Sequence, residues 1–140
     1  MKQIEGLIGY ELFQLCKAHR NRAEELLNEH GLHTGQEMTL FQLWEEEGQT
    51  QTQLAERMCV EAPTASKMLQ RMETAGLLVR RADSEDARVS RVYLTDHSRS
   101  LEKPVREAWN RLEEETLRGL TEAEQALLRR LLIQMRSNLS

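Results

Sequence analysis

The side chains best suited to chemistry gather between Thr64 and Arg91. Thr64, Ser66, Lys67, Gln70 and Arg71 supply two hydroxyls, an amide and two cations, interleaved with the apolar Ala65, Met68, Leu69 and Met72. On a helix that spacing puts the apolar set on one face and the polar set on the other. Hydroxyls, amides and cations are the groups that bond phosphates and the edges of bases in a major groove. Farther on, Arg88 falls near the tip of a polar loop, where a guanidinium can enter a narrow, electronegative minor groove. Asp86, two residues before it, can hold that arginine extended through a bidentate pair, and Arg91 adds a fourth cation to the same surface. The plain alternatives are solvated helix surface for Thr64, Ser66 and Gln70, and strand-edge charge that discourages pairing for Arg80 and Arg81.

Other chemically capable residues are scattered. Cys16 lies near Lys17, His19 and Arg20, cations of the kind that activate a thiolate; a structural cysteine is the competing reading. Cys59 stands in a short connection and is expected to fill a small apolar gap. His30 and His33 flank a helix-stop glycine and could join Glu24 or Glu29 on a metal, but as ordinary surface histidines they call for none. Trp44, Trp109, Phe13 and Phe41 could line an aromatic ligand pocket or simply pack in the core. There is no Gly-rich phosphate loop, nucleophile elbow or zinc-hydrolase spacing, so neither catalysis nor a cofactor is expected.

The elements that must carry these residues are mostly helical. Apolar positions from Ile4 to about Asn28 recur at three- and four-residue steps and predict one amphipathic helix, stopped by Gly31. A shorter helix is expected over Thr39–Glu47, and a third from about Thr50 to Met58. Either Thr50 or Thr52 can cap the third; Thr52 with Glu56 misses the capping-box spacing by one. A tight connection leads to a fourth helix with Pro63 in its first turn and Gly76 as its stop. The period then changes. Leu77–Arg81 and Ser90–Leu94 read as two strands around a polar hairpin loop over 82–89. Thr95 or Asp96 caps a long fifth helix in which Pro104 suits a first turn and so predicts a regular start nearer Glu102, or a kink. Thr121 with Glu124 has capping-box form and opens a last helix.

Two short helices and a hairpin make a winged helix-turn-helix, whose second helix fits a major groove. The same pattern can also serve as a winged module that binds protein. The run Leu54-Ala55-Glu56, Pro63 to Leu69, Gly76 to Arg81, and Asp86-Ala87-Arg88 followed by Val92-Tyr93-Leu94-Thr95 resembles the MarR (multiple-antibiotic-resistance regulator) family over essentially the whole chain. One departure is Asp96-His97-Ser98 after Leu94-Thr95, where that family often has a polar residue and then glycine. The resemblance implies a homodimer built from both chain ends and a palindromic double-stranded DNA operator. It also implies repression relieved by a small aromatic or phenolic effector, or by cysteine oxidation. Cys16, His19 and Trp44 are the residues carried forward for that sensing role.

The fold class expected is therefore mainly α with a small β-hairpin wing. A winged helix-turn-helix should span 36–96, with helical dimerisation regions over 1–35 and 97–140. The apolar stripes of the two ends exceed what a reader of that size can cover; the alternative is that they pack on each other within one chain. With 39% hydrophobic residues, 30% charged, 7 Gly and 2 Pro, a disordered or collagen-like chain is excluded. No apolar run suits a membrane span and the first residues lack a signal peptide's pattern, so a cytoplasmic, membrane-free location is expected. Two cysteines make no disulfide framework. The formal net charge of −4 speaks against a polyanionic partner until it is resolved along the chain. Residues 36–61 hold Arg57 against Glu37, Glu45, Glu46, Glu47, Glu56 and Glu61. Residues 62–91 hold Lys67, Arg71, Arg80, Arg81, Arg88 and Arg91 against Glu73, Asp83, Glu85 and Asp86, making them the one net-positive stretch.

Overall fold

The computed structural model describes residues 2–140, with side chains from Gln3 onward. The elements run α1 (Lys2–Glu5), α2 (Ile8–Asn28), α3 (Gln36–Glu45), β1 (Gln49–Thr50), α4 (Gln51–Arg57), α5 (Ala62–Thr74), β2 (Leu78–Ala82), β3 (Ser90–Leu94), α6 (Asp96–Ser100), α7 (Glu102–Thr116) and α8 (Glu122–Leu139). The fold is mainly helical with one small antiparallel sheet, as the sequence pattern implies.

The boundaries differ from expectation where local chemistry was not obvious. The first helix is two pieces, because Leu7 is extended (φ −86°, ψ 139°) between them. The second begins at Gln36 rather than Thr39. Gly35, at φ +103°, turns the chain into it, and the Glu37 carboxylate accepts the Gly35 N–H at 2.8 Å. Thr50, not Thr52, caps α4 and forms a full capping box. Its Oγ1 accepts the Gln53 N–H at 3.1 Å, and Gln53 Oε1 accepts the Thr50 N–H at 2.9 Å. The long fifth helix is also two, and its regular part begins at Glu102, as Pro104 implied. Pro104 cannot donate to the Ser100 carbonyl, and the ladder breaks at Leu101 between α6 and α7. The Thr121–Glu124 box forms as expected.

The sheet has three strands in the order β1-β3-β2, one more than expected. Thr50 lies opposite Arg91, and Arg81 lies opposite Arg91 from the other side. The two-residue β1 is too short for a period to reveal it. It is held by the Gly48 N–H donating to Val92 O at 2.9 Å and by the buried Gln49, whose Nε2 donates to Gln42 O and Glu46 O at the end of α3.

The core lies where α3, α4, α5 and the sheet meet, built on Leu40, Leu43, Leu54, Leu69, Met72, Leu78 and Val92. Met68, expected inside, is only half-buried at its edge. Burying each such side chain contributes roughly 1.5–3 kcal/mol, so α5 is fastened along the face that carries Ala65, Leu69 and Met72. A second cluster of Ala23, Leu26, Ala108 and Leu112 joins α2 to α7. Arg22 braces that joint with a bidentate pair to Glu115, at 2.8 and 3.1 Å. Among the described residues no helix is long and apolar enough to cross a membrane.

Candidate nucleic-acid interface

At about 100° per residue, Thr64, Arg71, Lys67 and Gln70 follow one another around the outer arc of α5, and all four are exposed. Ser66 lies at the far edge of that arc and is half-buried. Pro63 occupies the first turn, where a missing N–H leaves no bond unmade. Among the described residues, neither Lys67 nor Arg71 has a carboxylate within ion-pair distance. Their charge faces solvent uncompensated.

Glu73, the next polar residue along α5, faces inward and joins the helix to the wing. Its carboxylate accepts the Arg80 N–H at 3.1 Å and pairs with the Arg80 guanidinium at 3.2 Å, and both contacts hold its pKa below the usual range. Arg80 also reaches Gln51 Oε1 at 3.4 Å. It is thus a tie between α5, β2 and α4, where strand-edge charge was the alternative reading. Arg81 is exposed and lies over the Tyr93 ring, 5.2 Å from its centroid.

The wing loop presents Arg88 with 91% of its side chain exposed. Asp86 grips it on both edges: Nε donates to Oδ1 at 3.1 Å and Nη2 to Oδ2 at 3.2 Å, while Oδ1 also accepts the Arg88 backbone N–H. Those donors hold the Asp86 carboxyl below its ordinary pKa. Arg91 is placed differently. It is 38% exposed, its Nε donates to Asp83 Oδ1 at 2.6 Å, and its Nη1 donates to Gly48 O at 2.7 Å. The guanidinium closes a joint inside the sheet instead of extending outward beside Arg88. Asp83 and Glu73, which organise this surface, carry no weight in the sequence reading. The signals were an Asp with a second Asp three residues on, which marks an Asx turn, and a Glu–Arg pair straddling the Gly76 stop.

The residues carried forward for sensing do not form one site. Cys16 and His19 line a cavity of about 670 Å³ between α2 and α8, together with Leu12, Leu15, Leu128 and Leu132. Trp44 lies elsewhere, half-buried, with Nε1 donating to Ser98 O at 3.0 Å. Phe41 packs edge-on against Trp44 at 5.3 Å and against Trp109 at 6.3 Å, whereas Phe13 remains 64% exposed outside that group. Both cysteines are exposed. For Cys59 this corrects the expected gap-filling role: it sits at φ +55° in the turn before α5, and that left-handed bend carries its side chain outward. His33 Nδ1 lies 3.1 Å from Glu24 Oε1, and among the described residues no three His, Cys, Asp or Glu side chains converge as a metal requires.

The fold that carries this arrangement is shared with known proteins. The sequence model of the MarR family matches residues 32–90, from the middle of the α2–α3 loop to the first residue of β3. Over those residues the chain is similar to the MarR family. The HTH-type transcriptional regulator TtmR of Methylorubrum extorquens is 28% identical over 100 residues, 71% of this chain and 51% of that protein. The organic hydroperoxide resistance transcriptional regulator of Bacillus subtilis is 28% identical over 94 residues, 67% of this chain and 64% of that one. The chain thus spans about half the length of the first and under two thirds of the second. The crystal structure of the transcriptional regulator SlyA superposes with a TM-score of 0.81 at 26% identity, covering 94% of this chain and 93% of that one.

Proposed function

We propose that this chain is a MarR-family transcriptional regulator that reads double-stranded DNA through α5 and the wing. It acts as a homodimer on a palindromic operator, as a repressor released by a small aromatic or phenolic effector. Residues 36–96 form the reader, and 1–35 with 97–140 form the dimerisation region. In this reading Thr64, Lys67, Gln70 and Arg71 face the major groove, with Ser66 at its margin. Arg88, clasped by Asp86, enters the adjacent minor groove.

The observation that carries the proposal is the uncompensated cationic arc of α5 beside a 91% exposed arginine whose orientation is already fixed. A clasped guanidinium loses less conformational freedom on entering a groove than a free one. The names of the relatives, both transcriptional regulators, support the same reading. The cavity beside Cys16 and His19 lies within the proposed dimer region, where an occupant could alter the spacing of two readers.

The test is a selection of bound duplexes from a random pool, followed by titration of the selected duplex at rising salt. The expected result is an enriched palindrome whose affinity falls steeply with salt, log K against log salt sloping by about −0.9 per neutralised phosphate. Binding to no duplex, or binding indifferent to salt, sinks the proposal in favour of a protein-binding winged module. Screening aromatic acids and phenols for release of the selected duplex then tests the effector, and a reporter placed behind the operator tests repression.

A further inference from the structure

Arg91 and Asp83 make a chain of contacts that runs from the helix-turn-helix to the tip of the wing. Gly48, in the turn between α3 and β1, lends its carbonyl to Arg91 Nη1 at 2.7 Å. Arg91 Nε donates to Asp83 Oδ1 at 2.6 Å. Asp83 Oδ2 accepts the backbone N–H groups of Glu85 and Asp86, each at 3.0 Å. Asp86 in turn clasps Arg88. Every link is a hydrogen bond of good length with a charged side chain on at least one side. Asp83 is only 16% exposed, so the middle of the chain is shielded from competing water.

We propose that Arg91 and Asp83 are positioning residues, a strut that sets where the Arg88 guanidinium lies relative to α5. The inference rests on the DNA-binding reading above and refines the part that Arg91 plays in it. A hairpin loop held by strand pairing alone pivots about the sheet; a loop also bonded through Asp83 and Arg91 to the α3–β1 turn moves as one body with the helices. Wing and helix must reach neighbouring grooves together, and a displacement of about 1 Å is enough to lose a contact that depends on orientation. A direct phosphate role fits Arg91 less well, because the phosphate would have to displace Asp83 from a 2.6 Å ion pair.

A double-mutant cycle on the selected operator, read by fluorescence anisotropy, separates the two roles. Arg91→Ala is expected to weaken binding by about tenfold in the wild-type chain and by less than about twofold in an Arg88→Ala chain, as coupled residues do. Arg91→Lys should resemble Arg91→Ala, since an ammonium lacks the fork that bridges Asp83 and Gly48. Asp83→Asn, which keeps the bulk of the loop, should give the same coupled loss. Hydroxyl-radical footprints of the Arg91 variants should keep the protection due to α5 and lose that of the wing. Additive losses in the double variant, or wild-type affinity for Arg91→Lys, make Arg91 a phosphate contact and overturn the strut. Unchanged affinity for Arg91→Ala reduces it to a sheet residue. Absence of binding by the wild-type chain removes the DNA reading itself, and the strut with it.

Discussion

Arg88 differs from the other arginines of the wing in having its geometry fixed while its charge stays in solvent, and that combination defines its expected effect. Arg88→Ala should cost operator binding roughly 1–3 kcal/mol, the scale of one specific contact, and should leave the thermal midpoint unchanged, since the side chain is 91% exposed. Parallel anisotropy and melting measurements check both parts; equal affinity for variant and wild type would remove Arg88 from the interface. Glu37 is the opposite case. Its carboxyl is 2% exposed, and burial pushes its pKa up despite hydrogen bonds from its own N–H and that of Gly35; the nearby Glu24 carboxylate adds to the rise. In the window between its ordinary pKa and the raised one, the folded chain holds a proton that the unfolded chain releases. This contribution to stability is therefore complete at the acid side and lost as pH rises through the folded value. Glu37→Gln should raise the thermal midpoint at pH 8, with the gain shrinking as pH falls toward 4. Seven carboxyls move the other way: Glu24, Glu47, Glu73, Asp83, Asp86, Glu115 and Glu124 are all held low by donors or cations. Their contributions are lost as pH falls, so the wild-type chain should still melt at lower temperature in acid, and the Glu37 effect is best read as a difference between two chains.

At the scale of elements, β1 has the most leverage for its length. It exists because Gly48, at φ +75°, turns the chain so that Gln49 and Thr50 lie along β3. A Cβ at Gly48 would come within 3.3 Å of the Tyr93 ring and would be strained at that φ in any case. Gly48→Ala is expected to destabilise the fold by about 1–2 kcal/mol, read as a lower denaturant midpoint, and to loosen the wing, read as faster amide exchange at Val92. A fully stable variant with unchanged exchange would show that β1 does not hold the wing. Elements whose signal is a long period, namely α2, α5, α7 and α8, were legible in the sequence, as were the Asp86–Arg88 spacing and the Thr121 box. Elements fixed by one contact from a distant part of the chain were not. The start of α3 depends on a carboxylate reaching back to Gly35, β1 on a buried glutamine and a carbonyl of β3, and the seating of Arg91 on the carbonyl of Gly48, 43 residues away. Cys59 was misplaced for a related reason, since a left-handed backbone at a residue other than glycine has no pattern in the sequence.

For the molecule as a whole, the distribution of apolar surface bears directly on the proposed dimer. Among the described residues, twelve of the fourteen exposed large hydrophobics lie within residues 4–15 or on α8. Ile4, Leu7, Ile8, Leu12, Phe13 and Leu15 form one set; Leu127, Leu131, Leu132, Ile133, Met135 and Leu139 form the other. α8 contains no buried residue. Most of a helix's stability in a protein comes from packing an amphipathic face, and a capping box contributes only about 1 kcal/mol toward holding it. The alternative that the two ends cover each other within one chain holds only in part: α2 packs on α7 through Ala23, Leu26, Ala108 and Leu112, but α2 and α8 leave a cavity of about 670 Å³ between them, and both exposed sets stay open to solvent. A second copy of the chain supplies matching stripes by symmetry, and an interface of about 1,200–2,000 Å² is the usual size for a stable pair. Sedimentation equilibrium at micromolar concentration should therefore return twice the 16.3 kDa chain mass. The double variant Leu131→Glu with Leu132→Glu should sediment as a monomer, melt at lower temperature, and bind a palindromic operator at least about 100-fold more weakly, because the second half-site no longer benefits from the first. The same variant should bind an isolated half-site as the wild type does, which separates loss of pairing from damage to the reader. A wild-type chain that sediments as a monomer, or a charged variant that keeps full operator affinity, would place the dimer contact elsewhere and leave the apolar face of α8 without a role.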